Sequence, residues 1–279
     1  MSPEPSKVSP EPKPAVRVTR IDDLDRPIYR IFPLWFFEQT LRTRSLSLMS
    51  PSRWADPYED ICANIMMRDL RNLGGGQKQL QDFLMPAYAQ CWSFESSSDI
   101  LLRAYSRVTI HPILRRNVEP ALEGVRVEST PRKLIQSVNS HAANQHSVQF
   151  YLGGVIYAPA QEVSQHIVNS LSRLGATEIG RGDHRADMLF LKRDYFRHED
   201  EVRLLAIFDN QSAVFETYTV QIDPNRLFSK VEFDPRLVTF ERREREAKAR
   251  ELGYSGEVGG AEETIQILWD VELPNGWGE

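Results

Sequence analysis

Residues 199–208, "EDEVRLLAIF", constrain the fold more than any other stretch of this chain. The run is too short and too rich in Val, Ile and Phe for a surface helix, and it reads as a strand. Period two then puts Glu199, Glu201 and Arg203 on one face. Asp200, Val202, Leu204, Ala206 and Phe208 fall on the other, the core face. The charged face continues as Leu205 and Ile207, so it turns apolar directly after Arg203. A carboxylate at that border loses part of its water and must find a donor, which Arg203 can supply. Two readings follow: a Glu/Arg pair at a sheet margin, or two glutamates presented into a cleft.

Similar short patterns recur. "RPIYRIFPL" (26–34), "SLSLMS" (45–50), "CWSF" (91–94), "GVRVEST" (124–130), "VQFYLGGVIY" (148–157) and "VFETYTVQID" (214–223) read as strands. "TIQILWDVELP" makes a last one. Leu34, Phe37 and Leu41 recur at helical spacing, and residues 159–175 read as an amphipathic helix stopped by Gly175. Ser98 or Asp99 suits the cap of a helix over "ILLRAYSR". Residues 61–89 read as helix broken by three consecutive glycines at 74–76. "GRGDHRAD" (180–187) reads as a polar loop, and "PRLVTF" as a strand leading into a charged helix ended by Gly253. The sum is an α+β fold: mixed or antiparallel short-stranded sheets with flanking helices and no regular βαβ alternation.

Residues 1–16, rich in Pro, Ser, Glu and Lys, are expected to be a disordered tail, with the folded part starting near Arg20. Residues 17–235 are expected to form a single α+β domain, on which the helix and strand of 236–279 pack. Hydrophobic residues make up 41% of the chain, enough for a buried core. A net charge of -5 argues against binding nucleic acid chiefly by phosphate neutralisation. The "ERREREAKAR" run (241–250) mixes both signs and reads as a solvated helix face. Cys62 and Cys91 cannot build a disulfide framework, and the scattered histidines give no zinc spacing. No apolar run approaches the roughly 18 residues a membrane span needs, and the N-terminus lacks a signal-peptide core. A soluble protein of a reducing compartment, most simply the cytoplasm, is expected.

Several side chains stand out for chemistry. Arg30 sits between Ile28 and Phe32, where an apolar residue is expected, so its guanidinium must pair with a carboxylate or face an anion-holding cleft. In "WADPYED" (54–60), Asp56 and Glu59 can cap the following helix or hold a cation such as Arg30. Cys91 and Ser93 share one strand face; Cys91 has no readable activating base, and Ser93 can hydrogen-bond a ligand or Arg30. Tyr105 is either a core aromatic or the wall of a pocket. Asp56, Glu59, Glu199 and Glu201 also suit Mg²⁺, although nothing in their spacing demands it.

"IYRI" (28–31), "LSLMSPSRWADPYED" (46–60), "CWSF" with "LLRAYS", "GVRVE" (124–128), "GVIY" (154–157) and "LKRDYFRHEDEVRLL" (191–205) occur in one order. Over about residues 25–210 the chain resembles a bacterial family known as domain of unknown function 2971. The "DPYE" and "K…E.E.R" pieces are the most specific. Where that family carries a Trp shortly before its Tyr, this chain has Leu102. An Arg on a first strand, a Ser on a middle strand and a late Glu-x-Glu also resemble ADP-ribosyltransferases, a fold-level analogy. That resemblance implies a split sheet and NAD as the substrate, with no metal. Arg30 would hold the ribose-phosphate, and Ser93 would position Arg30 or the ribose. Glu201 would bond the ribose 2′-hydroxyl, and Glu199 would orient or deprotonate an unidentified macromolecular acceptor. Tyr105 or Tyr58 would stack on nicotinamide. It implies a bacterial toxin, effector or defence protein; the alternative is a non-catalytic interaction or sensor module of a stress or phage-defence system.

Overall fold

A computed structural model describes residues 15–54, 56–68, 76–96, 99–142, 145 and 147–259. In chain order, β1 (Val16–Thr19) and β2 (Ile28–Pro33) precede α1 (Leu34–Thr43) and β3 (Ser45–Met49). A 3-10 stretch, Pro57–Asn64, leads to the antiparallel pair β4 (Met66–Arg68) and β5 (Gln77–Gln79), and then to β6 (Ala87–Ser93). Next come α2 (Asp99–Tyr105), β7 (Gly124–Ser129), α3 (Pro131–Ala142), β8 (Val148–Gly154) and β9 (Ile156–Ala158). Three helices follow, α4 (Ala160–Leu174), α5 (Ala176–Ile179) and α6 (Gly182–Leu189), and then β10 (Leu191–Arg193). A 3-10 turn, Asp194–Glu199, enters β11 (Glu201–Phe208). β12 (Thr217–Gln221), α7 (Pro224–Leu227), β13 (Lys230–Phe233), α8 (Thr239–Glu251) and β14 (Glu257–Gly259) close the described chain.

Ten strands make one mixed sheet in the order β1-β8-β11-β6-β2-β7-β13-β14, with β3 on β6 and β12 on β3. The β1/β8 and β13/β14 pairs are parallel and the others antiparallel. The α+β class with a mixed sheet is therefore observed. β6 organises the sheet. One edge pairs with β11 from Ala87 to Ser93. The other edge is shared: Ser93 pairs with Tyr29 of β2, while Ala89 pairs with Met49 of β3. The sheet divides at this point, with Cys91 between the two half-sheets.

The main core lies on one face of the sheet. Phe37 and Leu41 of α1 and Leu134 and Val138 of α3 belong to it, together with Val202, Leu204, Ala206 and Phe208 of β11. Here the strand phase read from the sequence holds. The opposite face of β11 is buried too: Leu205 and Ile207 pack with Ala186 and Leu189 of α6. The Glu201/Arg203 face is thus not a sheet margin, because α6 covers it.

Several expectations change. β1 begins at Val16, before Arg20, because its backbone pairs with β8. The described residues of 61–89 hold 3-10 turns and strands rather than helix; the Asp56-Pro57 turn starts a tight coil, and Leu80 is buried by tertiary packing. "GRGDHRAD" opens α6, which buries Ala186, Met188 and Leu189. "PRLVTF" is not a strand: β13 precedes it and α8 begins at Thr239. Glu199 is not on the strand, since Asp200 takes a left-handed conformation (φ 38°, ψ 58°) and ends the 3-10 turn. The readings of residues 1–14, of the glycines at 74 and 75, of a Ser98 cap and of "TIQILWDVELP" lie outside the described residues. Among the described residues no helix is long and apolar enough to cross a membrane.

Candidate functional site

The 3-10 turn before β11, the Pro57–Asn64 stretch and β10 bring five charged side chains together on the α6 side of β11. Lys192 is at the centre. Its Nζ lies 2.6 Å from Glu199 Oε2, 2.9 Å from Glu201 Oε2 and 3.2 Å from Glu59 Oε1. Arg203 closes the other side. Its Nε donates to Glu201 Oε1 (2.8 Å), its Nη2 to Glu59 Oε2 (2.6 Å) and Glu201 Oε2 (3.1 Å), and its Nη1 to the Leu189 carbonyl (2.5 Å). The Trp54 ring lies 4.5 Å from the Arg203 guanidinium and caps it. The Tyr157 hydroxyl accepts from the Glu201 backbone N–H at 2.9 Å.

Burial and charge decide the ionisation of this cluster. Burial opposes the charge on Glu201, but Arg203 and Lys192 outweigh it and hold the carboxyl down at about 2. Burial likewise opposes the charges on Lys192 and Arg203, and the facing carboxylates more than offset it, raising both. Desolvation dominates at Glu59, whose pKa is raised despite its cationic neighbours. The Cys91 thiol, beside Glu201, is driven well above its ordinary value by burial, so it is no nucleophile at neutral pH. With two cations and three carboxylates, the cluster carries one net negative charge.

The paired glutamates differ in access. Both Glu201 oxygens are taken and its side chain is 3% exposed. Glu199 is 16% exposed, and its Oε1 has no hydrogen-bond partner among the described residues. Tyr105 stands nearby, 55% exposed. Desolvation of its hydroxyl and the Glu199 carboxylate push the phenol up to about 12.

Arg30 is the unmatched charge. The register places Tyr29, Ser93 and Glu201 on one face of the sheet, so Arg30 belongs to the other. Its guanidinium enters the division between β2 and β3, where Nη1 bonds the Cys91 carbonyl and the group lies 5.0 Å from the Phe32 ring. Among the described residues it has no carboxylate partner, and its buried Nε has no hydrogen-bond partner. Desolvation lowers its pKa, and Tyr105 and Glu201 are near enough to act on its charge.

The remaining predicted residues are already engaged. Ser93 Oγ donates to the Glu199 carbonyl (2.5 Å) and accepts from the Glu95 N–H, fixing the turn that carries Glu199 rather than touching Arg30. The Tyr58 ring is stacked by Arg193 at 4.6 Å. Asp56 accepts from the Tyr58 N–H as an N-cap and pairs with Arg193, while Glu59 holds Lys192 and Arg203 instead of Arg30. Three of the four carboxylates considered for Mg²⁺ do converge, and what they converge on is the Lys192 ammonium. Among the described residues no group of three or more His, Cys, Asp or Glu side chains is arranged to hold a metal ion. Lys192 and Trp54 entered the sequence reading only as letters of "K…E.E.R" and "WADPYED", with no role assigned, and Tyr157 was not singled out. A Lys directly after the apolar run "MLFL" (188–191) was the available signal.

No protein-family model and no curated protein matches the chain, so the resemblance to the domain of unknown function 2971 family has no support from those comparisons. Solved structures of DarT from Thermus sp. 2.9 are similar at low identity. In complex with ADP-ribosylated ssDNA the match has 13% identity and a TM-score of 0.32, covering 84% of this chain and 92% of that one. The complex with carba-NAD+ gives 13%, 0.32, 84% and 94%. The complex with NAD+ gives 16%, 0.33, 84% and 93%. A likeness of that size carries no argument, and the site stands on its own geometry.

Proposed function

We propose that the chain is an NAD-consuming, ADP-ribosyltransferase-like enzyme whose site is the division of the sheet at β6. The observation that carries this reading is Arg30, a guanidinium held at the division with no carboxylate partner among the described residues. Such a group suits a pyrophosphate, which guanidinium binds by parallel hydrogen bonds. Glu199 supplies the carboxylate that a ligand reaches without breaking an existing bond. Tyr105 supplies an uncovered ring for nicotinamide, whereas the Tyr58 ring is occupied. Glu201 holds the cluster that fixes Glu199, and to bond a ribose hydroxyl itself it must release Lys192 or Arg203. In the reaction the C1′–N bond of NAD breaks and nicotinamide leaves with the bonding pair. The anionic cluster stabilises the cationic ribosyl centre. An acceptor nucleophile forms the new bond to C1′, and its proton passes to Glu199.

Membership of the domain of unknown function 2971 family is proposed with it, supported by the meeting of "DPYE" Glu59 with Lys192, Glu199, Glu201 and Arg203. A bacterial toxin, effector or defence protein acting in the cytoplasm on a macromolecular acceptor is the corresponding role. The test is nicotinamide release and label transfer from NAD in cell lysate. Wild type is expected to give both, and Arg30→Ala and Glu199→Gln to lower the rate at least 100-fold. No release by wild type, or variants as active as wild type, would sink the reading. One observation favours the alternative of a non-catalytic interaction or sensor module: every oxygen of Glu201 is already paired, as in a structural clasp.

A further inference from the structure

A second concave site lies on the far side of the β9–β10 ribbon from the Lys192 cluster. Alternation along β10 sends Lys192 to the cluster and Leu191 to the other side. There α4, α6 and the ribbon border a half-open cavity of about 510 Å³. Its floor is apolar: Val163, Met188 and Leu191 line it and are buried.

The wall formed by α4 is chemically different. His166, Ser170 and Arg173 all line the cavity, and spacings of four and three residues stack them along one helix face. Ser170 is only 6% exposed, yet its hydroxyl has no hydrogen-bond partner among the described residues. Ser164 of the same helix, by contrast, donates to the carbonyl four residues back at 3.0 Å, as Ser140 of α3 does at 3.2 Å. The Ser170 hydroxyl is therefore open to the cavity and available to a group bound there. Arg173 has no acidic partner among the described residues. Of the acids on the rim, Asp187 faces Arg20 at 3.9 Å, and Glu162 lies eleven residues before Arg173, about 16 Å along the helix axis. His184 completes the rim.

We propose that this cavity is a second ligand site, taking a small organic anion with an apolar body. The acid head is held by Arg173, Ser170 and His166, and the body lies on Val163, Met188 and Leu191. The volume is in the range of small-molecule pockets, and a few convergent polar groups over an apolar floor are what such pockets share.

The probe is 8-anilinonaphthalene-1-sulfonate, titrated by fluorescence into the full chain and then displaced. Saturable binding of one equivalent is expected, displaced by decanoate but not by decyltrimethylammonium of equal tail length. Arg173→Glu is expected to weaken it at least tenfold with an unchanged melting temperature. Ile113→Ser, in an exposed apolar loop elsewhere, is expected to leave it unchanged. Absence of saturable binding, equal displacement by the cationic tail, or binding sensitive to Ile113→Ser but not to Arg173→Glu overturns the proposal.

Discussion

At the scale of single residues, the distinction that matters is between Glu201 and Glu199. Glu201 is buried between two cations, and removing one member of such a pair leaves an uncompensated buried charge. Glu201→Gln is therefore expected to destabilise the protein by about 3–5 kcal/mol, read as a fall in the urea midpoint. Glu199→Gln, with one free oxygen and partial exposure, is expected to cost roughly 1 kcal/mol. Equal losses would contradict the clasp. The pH dependence follows the same pair. Glu201 is held at about 2, below its ordinary 4.5, so its contribution is complete above about pH 4.5 and lost as pH falls toward 2. Roughly 3 kcal/mol should disappear across that window in wild type, with a shallower slope in Glu201→Gln. Glu59, whose carboxyl burial pushes up, works against this slope and makes it gentler. The charge on Glu201 and its need for Arg203 were readable from one strand's alternation. Lys192 was legible only as a letter of the "K…E.E.R" piece; its role was not, because its partners come from three separate segments and only the fold sets their distances.

At the scale of elements, the turn into β11 decides which glutamate faces the cluster. Sequence phase assigned the core residues of β11 correctly but carried Glu199 along on the strand. The left-handed Asp200 resets the phase: Glu199 reaches Lys192 from a 3-10 turn, not from strand alternation. A non-glycine residue in that conformation is strained by roughly 1 kcal/mol, and a β-branched one by more. Asp200→Gly should thus be neutral to slightly stabilising, even though it loses the exposed Arg26 pair, whereas Asp200→Val should lower the melting temperature by several degrees. A melt showing Asp200→Val equal to Asp200→Gly would contradict the strained turn. α6 was hidden for a related reason: its first residues are polar, and the apolar positions that define it come only after Ala186.

At the scale of the whole molecule, the division of the sheet at β6 is the feature on which the proposed function turns. The α+β class was legible from short alternating strands and two clear helices. A split sheet was expected only through the ADP-ribosyltransferase resemblance; strand patterns could not place the division at β6, because it depends on β2 and β3 sharing one edge of β6 across positions 40 or more residues apart in sequence. Arg30 was legible as a misfit on an apolar strand face, and among the described residues it meets one carbonyl and no carboxylate. A residue placed only to satisfy that carbonyl would contribute about 1 kcal/mol and bind nothing. The most direct measurement is calorimetric titration of carba-NAD, which cannot be turned over, into wild type and Arg30→Ala. Saturable one-to-one binding by wild type, lost at least tenfold in a folded Arg30→Ala, is the predicted result. Absence of binding by wild type, or equal binding by both, would contradict the assignment of the sheet division as a dinucleotide site.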